Sequence, residues 1–257
     1  MPLYGKYPVA QIAQGQHNVP PGSCDAEQFL AVANIGDGWL HPEASNYTFV
    51  VALEFEGNRG YGVYKPQVGE APLWDFPTGT LYLRECAAYE MSKALGWGLV
   101  PPTVIRDGEA GEGSLQLFVP HLDNSNFFTF GDDQREEILR LAVFDLLVNN
   151  ADRKGGHCFV GPDDTVWAID NGLTFNATQK LRTVIWDFAG QTVPATLLVD
   201  IARVGADLGS GRALRMALEN RIAETEILAL QGRISRLLAD PVLPWPQSRR
   251  DMPWPWI

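Results

Sequence analysis

Residues 149–172, NNADRKGGHCFVGPDDTVWAIDNG, set two short apolar runs, CFV and TVWAI, on either side of the turn-forming GPDD, a pattern that folds as a small hairpin. Polar loops bracket this hairpin and carry Asp152 and Asp170, eighteen residues apart. Paired strands bring their outer ends together, so the two carboxylates can converge. A phosphoryl-transfer site needs such a pair. One carboxylate orients the attacking hydroxyl or accepts its proton, and the other holds the metal that bridges the nucleotide phosphates. Asp and Asn in a Gly-rich loop also serve plain turn chemistry by bonding their own backbone, so the rest of the chain must choose between the readings.

The first half of the chain reads mainly as sheet. YTFVVALEF and YGVYKP flank EGNRG, which predicts an antiparallel hairpin. TLYLRECAAYEMSKALG has apolar residues at three- and four-residue spacing and a closing Gly, which predicts a helix over about 80–95. After Pro101 and Pro102, TVIRDGEAGEGSLQLFVPHL reads as two strands around a Gly-rich turn. The second half is mainly helical. DDQREEILRLAVFDLLVNN opens with acids and carries an apolar stripe through Ile138, Leu141, Ala142 and Leu146, interrupted by Asp145, one odd carboxylate on a buried face. Beyond the hairpin a long segment runs through TVPATLLVDIARVG. Two helices are expected around 209–220 and 222–239, followed by a Trp- and Pro-rich tail, LPWPQSRRDMPWPWI. Residues 1–44, rich in Gly, Pro and Gln, read as an irregular lead-in with at most a short helix. The expectation is an α+β chain of two lobes, β-rich over 45–120 and mainly helical over 121–257, joined near Val119 to Asp123.

Charge narrows the function classes. The 20 Lys and Arg residues face 31 Asp and Glu, a net charge of -11, which argues against nucleic acid as a partner. No run approaches the roughly 18 apolar residues of a membrane span, so no integral membrane association is expected. The opening MPLYGKYPVAQIAQ lacks the basic and apolar regions of a signal peptide, and the expected compartment is the cytoplasm. The 3 cysteines, Cys24, Cys86 and Cys158, are widely spaced and form neither a disulfide framework nor a zinc site. Oligomeric state is not legible.

A phosphoryl-transfer site also needs a cation on the phosphates. Lys65 ends the YGVYKP strand, and Glu85 lies on the following helix, where an ion pair could fix the lysine head. Each alone also reads as an ordinary surface residue. Lys65 in VYKP, the helix start RECAAYEMSKALGWG, the double proline of PPTV, the loop NNADRKGGH and the strand end AIDNGLTF together resemble an uncharacterised bacterial family classed with the phosphatidylinositol 3- and 4-kinases. The resemblance covers roughly residues 45–190. It implies a two-lobed, protein-kinase-like fold with ATP between the lobes, related also to HipA-type and secretory-pathway kinases. Carried onto this chain, Lys65 would hold the α and β phosphates and Glu85 would pair with it. Asp152 would be the catalytic aspartate, Lys154 a phosphate-contacting lysine, and Asp170 the ligand of Mg2+ or Mn2+. Phe118 and Val119, beside the expected junction, join the cofactor-binding set.

The chain departs from the kinase pattern in three places. His157 stands where an Asn usually supplies a second metal ligand, and imidazole suits transition metals better than Mg2+, so a preference for Mn2+ is expected. The phosphate-covering loop is not G-x-G-x-x-G; ASNYTF takes its place, with Ser45, Asn46 and Thr48 as candidate phosphate contacts. Asp170-Asn171-Gly172 lacks the usual aromatic. The expected activity is ATP-dependent transfer of the γ-phosphate to a hydroxyl of a protein or small-molecule acceptor. A nucleotide-binding pseudokinase, an AMP transferase and a lipid kinase are the alternatives. The sequence has no polybasic run or basic amphipathic helix to favour the lipid.

Overall fold

The computed structural model describes residues 19–20, 25–41, 46–121 and 124–257. Its described residues divide into two compact units. One takes those up to Cys86 together with 101–121, and the other takes Ala87–Val100 and those from 124 onward.

The first unit is a five-stranded antiparallel sheet in the order β1-β2-β3-β5-β4, formed by β1 (Asn34–Leu40), β2 (Phe49–Phe55), β3 (Asn58–Pro66), β4 (Thr103–Gly108) and β5 (Gly111–Leu117). The β2–β3 hairpin turns on Glu56 and Gly57, whose φ values of 49° and 80° are both left-handed. Such a turn matches the right-handed twist of the strands it joins, and glycine makes its second position inexpensive. Alternation then sets the faces. Phe49, Val51 and Leu53 of β2, Tyr64 of β3, and Leu115 and Leu117 of β5 are buried against Ala26, Phe29 and Leu30 of α1 (Ala26–Val32). Tyr61, Val63 and Lys65 of β3 occupy the opposite face. The segment 25–40 is therefore more regular than the irregular lead-in expected for 1–44. β1, NIGDGWL, is an edge strand whose two glycines and Asp lower its strand propensity and whose pairing is irregular between Ile35 and Gly38.

Helix α2 (Leu81–Leu95) starts in the first unit and ends in the second. Lobe limits of 45–120 and 121–257 do not anticipate this division. Ala87, Ala88, Met91, Leu95 and Leu99 join one buried cluster with Leu141, Phe144 and Leu147 of α3 (Arg135–Val148). The small hairpin forms as expected, from β6 (Cys158–Val160) and β7 (Val166–Ala168). Then follow α4 (Ala195–Asp207), α5 (Ala213–Glu219) and α6 (Glu224–Ala239). α4 lies in a segment with no expected helix, although Leu197, Ile201, Val204 and Leu208 are spaced for one and all are buried. Among the described residues no helix is long and apolar enough to cross a membrane.

Asp145, the odd acid of the α3 stripe, is fully buried and meets the equally buried Arg153. Arg153 Nε lies 3.2 and 3.1 Å from the two carboxylate oxygens, and Nη2 lies 3.0 Å from Oδ1. Burial raises the Asp145 carboxyl pKa, opposed by Arg153, Asn150 and Thr183. Burial also weighs against the charge on Arg153, but the Asp145 carboxylate more than offsets it, and the guanidinium pKa is raised. We take the pair as ionised, because a neutral Asp145 would leave an arginine that cannot deprotonate unpaired in a dry site. Removing one partner is then far worse than removing both. Asp145→Ala is expected to cost about 3–5 kcal/mol in urea unfolding, and the double change Asp145→Leu with Arg153→Met markedly less. Equal losses in the two variants would contradict this account.

Candidate active site

In the first unit β3 and α2 supply a lysine and its counter-ion. Lys65, the penultimate residue of β3, pairs across the sheet with Ser114. Its Nζ donates to Glu85 Oε1. Glu85 is only 3% exposed, and a carboxylate so buried needs a cation, which fixes the lysine head. The expected Lys65–Glu85 pair is thus formed. The β1–β2 connection is moored at its base. Thr48 O accepts the His41 N–H at 2.7 Å, Tyr47 N–H donates to Gly69 O at 3.1 Å, and Asn46 Oδ1 accepts the Ala71 N–H at 2.8 Å. The Asn46 oxygen therefore braces the turn. Ser45 lies outside the described residues, as do positions 122 and 123 of the expected junction. Phe118 N–H donates to Tyr61 O at 2.9 Å, and Val119 beside it is buried.

In the second unit the chain leaves α3 through Asn149, in left-handed conformation with φ 55°. Its side chain donates to Asn176 O and Thr178 O and accepts the Lys180 N–H, at 2.8, 2.8 and 2.9 Å. Asn150 Nδ2 donates to Asp145 at 3.1 Å while its Oδ1 accepts the Asp152 N–H at 2.9 Å, the local turn that aims Asp152. Arg153 then gathers the neighbouring loops. Nη1 donates to Ile169 O at 2.7 Å and His157 O at 3.3 Å, and Nη2 donates to Asn171 Oδ1 at 2.6 Å. Arg153, which directly follows Asp152 in the chain, thus touches both neighbours of Asp170.

Asp152 and Asp170 come close enough for their charges to interact. Burial pushes the Asp152 carboxyl pKa up, Lys154 pulls it down, Asp170 pushes it up and Arg182 pulls it down, with a net rise. Lys154 Nζ lies 3.2 Å from Asp152 Oδ2. Asp170 has φ 57° and a carboxylate 52% exposed. His157 Nε2 is 3.3 Å from Asp170 Oδ2, while its Nδ1 accepts the Lys154 N–H at 3.4 Å. With Nδ1 accepting, the neutral ring carries its proton on Nε2 and donates to Asp170. Both ring nitrogens are thus engaged by protein groups. The selection of Mn2+ expected from His157 gains no support from this geometry.

The donor set suits a hard cation. Asp170 offers exposed oxygens with Asp152 nearby, and Mg2+ is commonly held by one or two carboxylates plus nucleotide phosphates and water. Among the described residues no group of three His, Cys, Asp or Glu forms a ready-made cage. Cys158, beside His157, is buried, and its thiol pKa is pushed up to about 12, so it is no nucleophile.

Sequence reasoning did not assign functional roles to Asp145, Asn150, Arg153 and Asn171. Their signal was present in the acid breaking the α3 stripe, since a buried carboxylate demands a partner, and Arg153 follows eight residues later.

The chain matches no model of a known protein family. Its fold is shared with hydra Fam20, whose structure was determined with sugar, at a TM-score of 0.53 and 14% identity, covering 87% of this chain and 90% of that one. The Helicobacter pylori proinflammatory kinase CtkA matches with a TM-score of 0.52 and 12% identity, over 82% and 93% of the respective chains. Protein Rv2133c of Mycobacterium tuberculosis is 41% identical, over 82% of this chain and 88% of its own length. The chain has a two-lobed, protein-kinase-like fold and belongs to the same family as the mycobacterial protein Rv2133c.

Proposed function

We propose that the protein is an ATP-dependent phosphotransferase, an atypical kinase of the phosphatidylinositol 3-/4-kinase-like kind, acting on a hydroxyl of a protein or small-molecule acceptor. The observation that carries this reading is the tie made by Arg153, which joins the loop of Asp152 to the loop of Asp170. The Lys65–Glu85 pair supports it independently.

In this reading Asp152 accepts a hydrogen bond from the acceptor hydroxyl and orients it in line with the γ-phosphorus. The new O–P bond forms as the bond to the β-phosphate oxygen breaks. The hydroxyl proton passes to Asp152 and then to solvent, and ADP leaves. Lys154, held beside Asp152, offers its ammonium to the transferring phosphoryl group. Lys65, steadied by Glu85, holds the α and β phosphates. Asp170 would hold Mg2+ together with nucleotide oxygens, and the ion would supply charge neutralisation. The loose transition state asks for position and electrostatics more than covalent chemistry.

The product of ATP turnover tests the reading. ADP is expected, with Asp170→Asn losing about 100-fold or more of the rate and the thermal shift given by ATP with Mg2+. Pyrophosphate would replace this reading with AMP transfer, and nucleotide binding without either product would leave a pseudokinase.

A second prediction concerns pH. Asp152 must be ionised to act, and its pKa is raised, so activity falls as pH drops through a value above the usual carboxylate range near ~4. Lys154 lowers that pKa, so Lys154→Ala should move the acid limb of kcat/KM to higher pH. A limb that stays in place, or moves to lower pH, removes Asp152 from the role of base.

A further inference from the structure

The segment Arg249–Ile257 runs beside the loop that carries Asp152. At one end Asp251 O accepts the Thr183 N–H at 3.1 Å, and Thr183 is paired with Arg153 in a parallel bridge. At the other end Trp256 O accepts the Gly155 N–H at 2.6 Å. Gly155 is therefore bonded directly to this segment, and Arg153 is linked to it through Thr183. The approach at Gly155 leaves no room for a side chain: a Cβ there would meet the Phe128 ring at 2.5 Å and Trp256 O at 3.3 Å.

The segment presents two kinds of group. Arg249 and Arg250 are exposed, and neither forms an ion pair with a carboxylate among the described residues. The Asp251 carboxylate is turned back onto the Gln247 and Ser248 N–H groups at 2.6 and 2.9 Å, which fixes the turn that displays the two arginines. Arg182, next to Thr183 and also without an ion pair among the described residues, acts electrostatically on Asp152. Further along, Trp254 and Trp256 are 82% and 50% exposed, with their rings edge to face at 6.1 Å. In a chain of net charge -11, Arg182, Arg249 and Arg250 thus stand on two segments joined by the Asp251–Thr183 hydrogen bond, next to the loop of Asp152.

We infer that Arg249–Ile257 forms the acceptor-side wall of the site and that it takes an acidic polypeptide, with Arg182, Arg249 and Arg250 meeting its carboxylates and the two Trp rings lying against its chain. This rests on the assignment of Asp152 as the catalytic carboxylate. A polypeptide fits better than a compact anion because cations and rings are spread along a segment instead of surrounding one point. An anionic membrane fits worse, because the sequence has neither the polybasic run nor the basic amphipathic helix that holds a chain to such a surface.

Binding is read without nucleotide, by fluorescence anisotropy of a labelled Ser-containing peptide flanked by Glu and Asp, against the same peptide with Gln and Asn. At low salt the acidic peptide should bind at least about tenfold tighter, with the gap closing near ~0.5 M salt. The gap should vanish in the Arg249→Ala, Arg250→Ala double variant, whose folding is checked by circular dichroism, whereas Trp254→Ala should weaken both peptides alike. Equal affinity for the two peptides, an unchanged preference in the double variant, or binding to phosphatidylserine vesicles with no peptide preference overturns the inference. Because nothing here depends on ADP release, a failed kinase reading and a failed acceptor wall give different results.

Discussion

The second unit is organised around one guanidinium. Arg153 is wholly buried, and its three nitrogens reach Asp145 at the end of α3, the carbonyls of His157 and Ile169, and the side chain of Asn171. An ion pair in such a place is a poor source of stability, since desolvation consumes most of the attraction. Its return is geometric. A planar, five-donor group fixes each partner in direction as well as distance, and these partners flank both acidic loops. A hydrophobic replacement could fill the volume but could not specify where the loops stop.

The Lys65–Glu85 pair follows related logic with a different outcome. Glu85 is as deeply buried as a core residue, whereas Lys65 remains 21% exposed. The carboxylate is the fixed element, set by α2, and the ammonium is drawn to it at the end of a flexible stem. Arg153 is a structural clamp with no surface. Lys65 is held at one edge and still meets solvent, the condition a group needs if it is to touch a ligand. Burial thus separates two cations that look alike in the sequence.

The strongly periodic parts of the fold were legible: the β2–β3 hairpin, α2, α3 and the β6–β7 hairpin each combine a clear apolar period with turn residues at the right offset. β1 was hidden because Gly36, Asp37 and Gly38 erase the period of two along an edge strand. α4 was hidden although its spacing is present, because it emerges from a long irregular segment without a capping side chain on Pro194. At the candidate site, residue types at plausible spacing, together with the family resemblance, singled out Asp152, Asp170, Lys65 and Glu85 as candidates. They could not identify what holds them. Asp145 stood out as an acid in an apolar stripe, but pairing it with Arg153 requires knowing that the chain reverses at Asn149, and a left-handed Asn is not distinguishable from any other Asn in a sequence.

The departure at position 157 becomes intelligible on the same terms. The structural work there is done by the main chain: His157 O accepts the Ile169 N–H at 2.9 Å and an Arg153 N–H at 3.3 Å. Those bonds place no demand on the side chain, so the loop keeps its course whichever residue stands there. What the residue type decides is the second hydrogen bond, from Nε2 to Asp170. An Asn in that position would present an oxygen as readily as an N–H, and so could join a metal's coordination. An imidazole with Nδ1 already accepting can only donate. The imidazole at position 157 therefore orients the Asp170 carboxylate through this hydrogen bond.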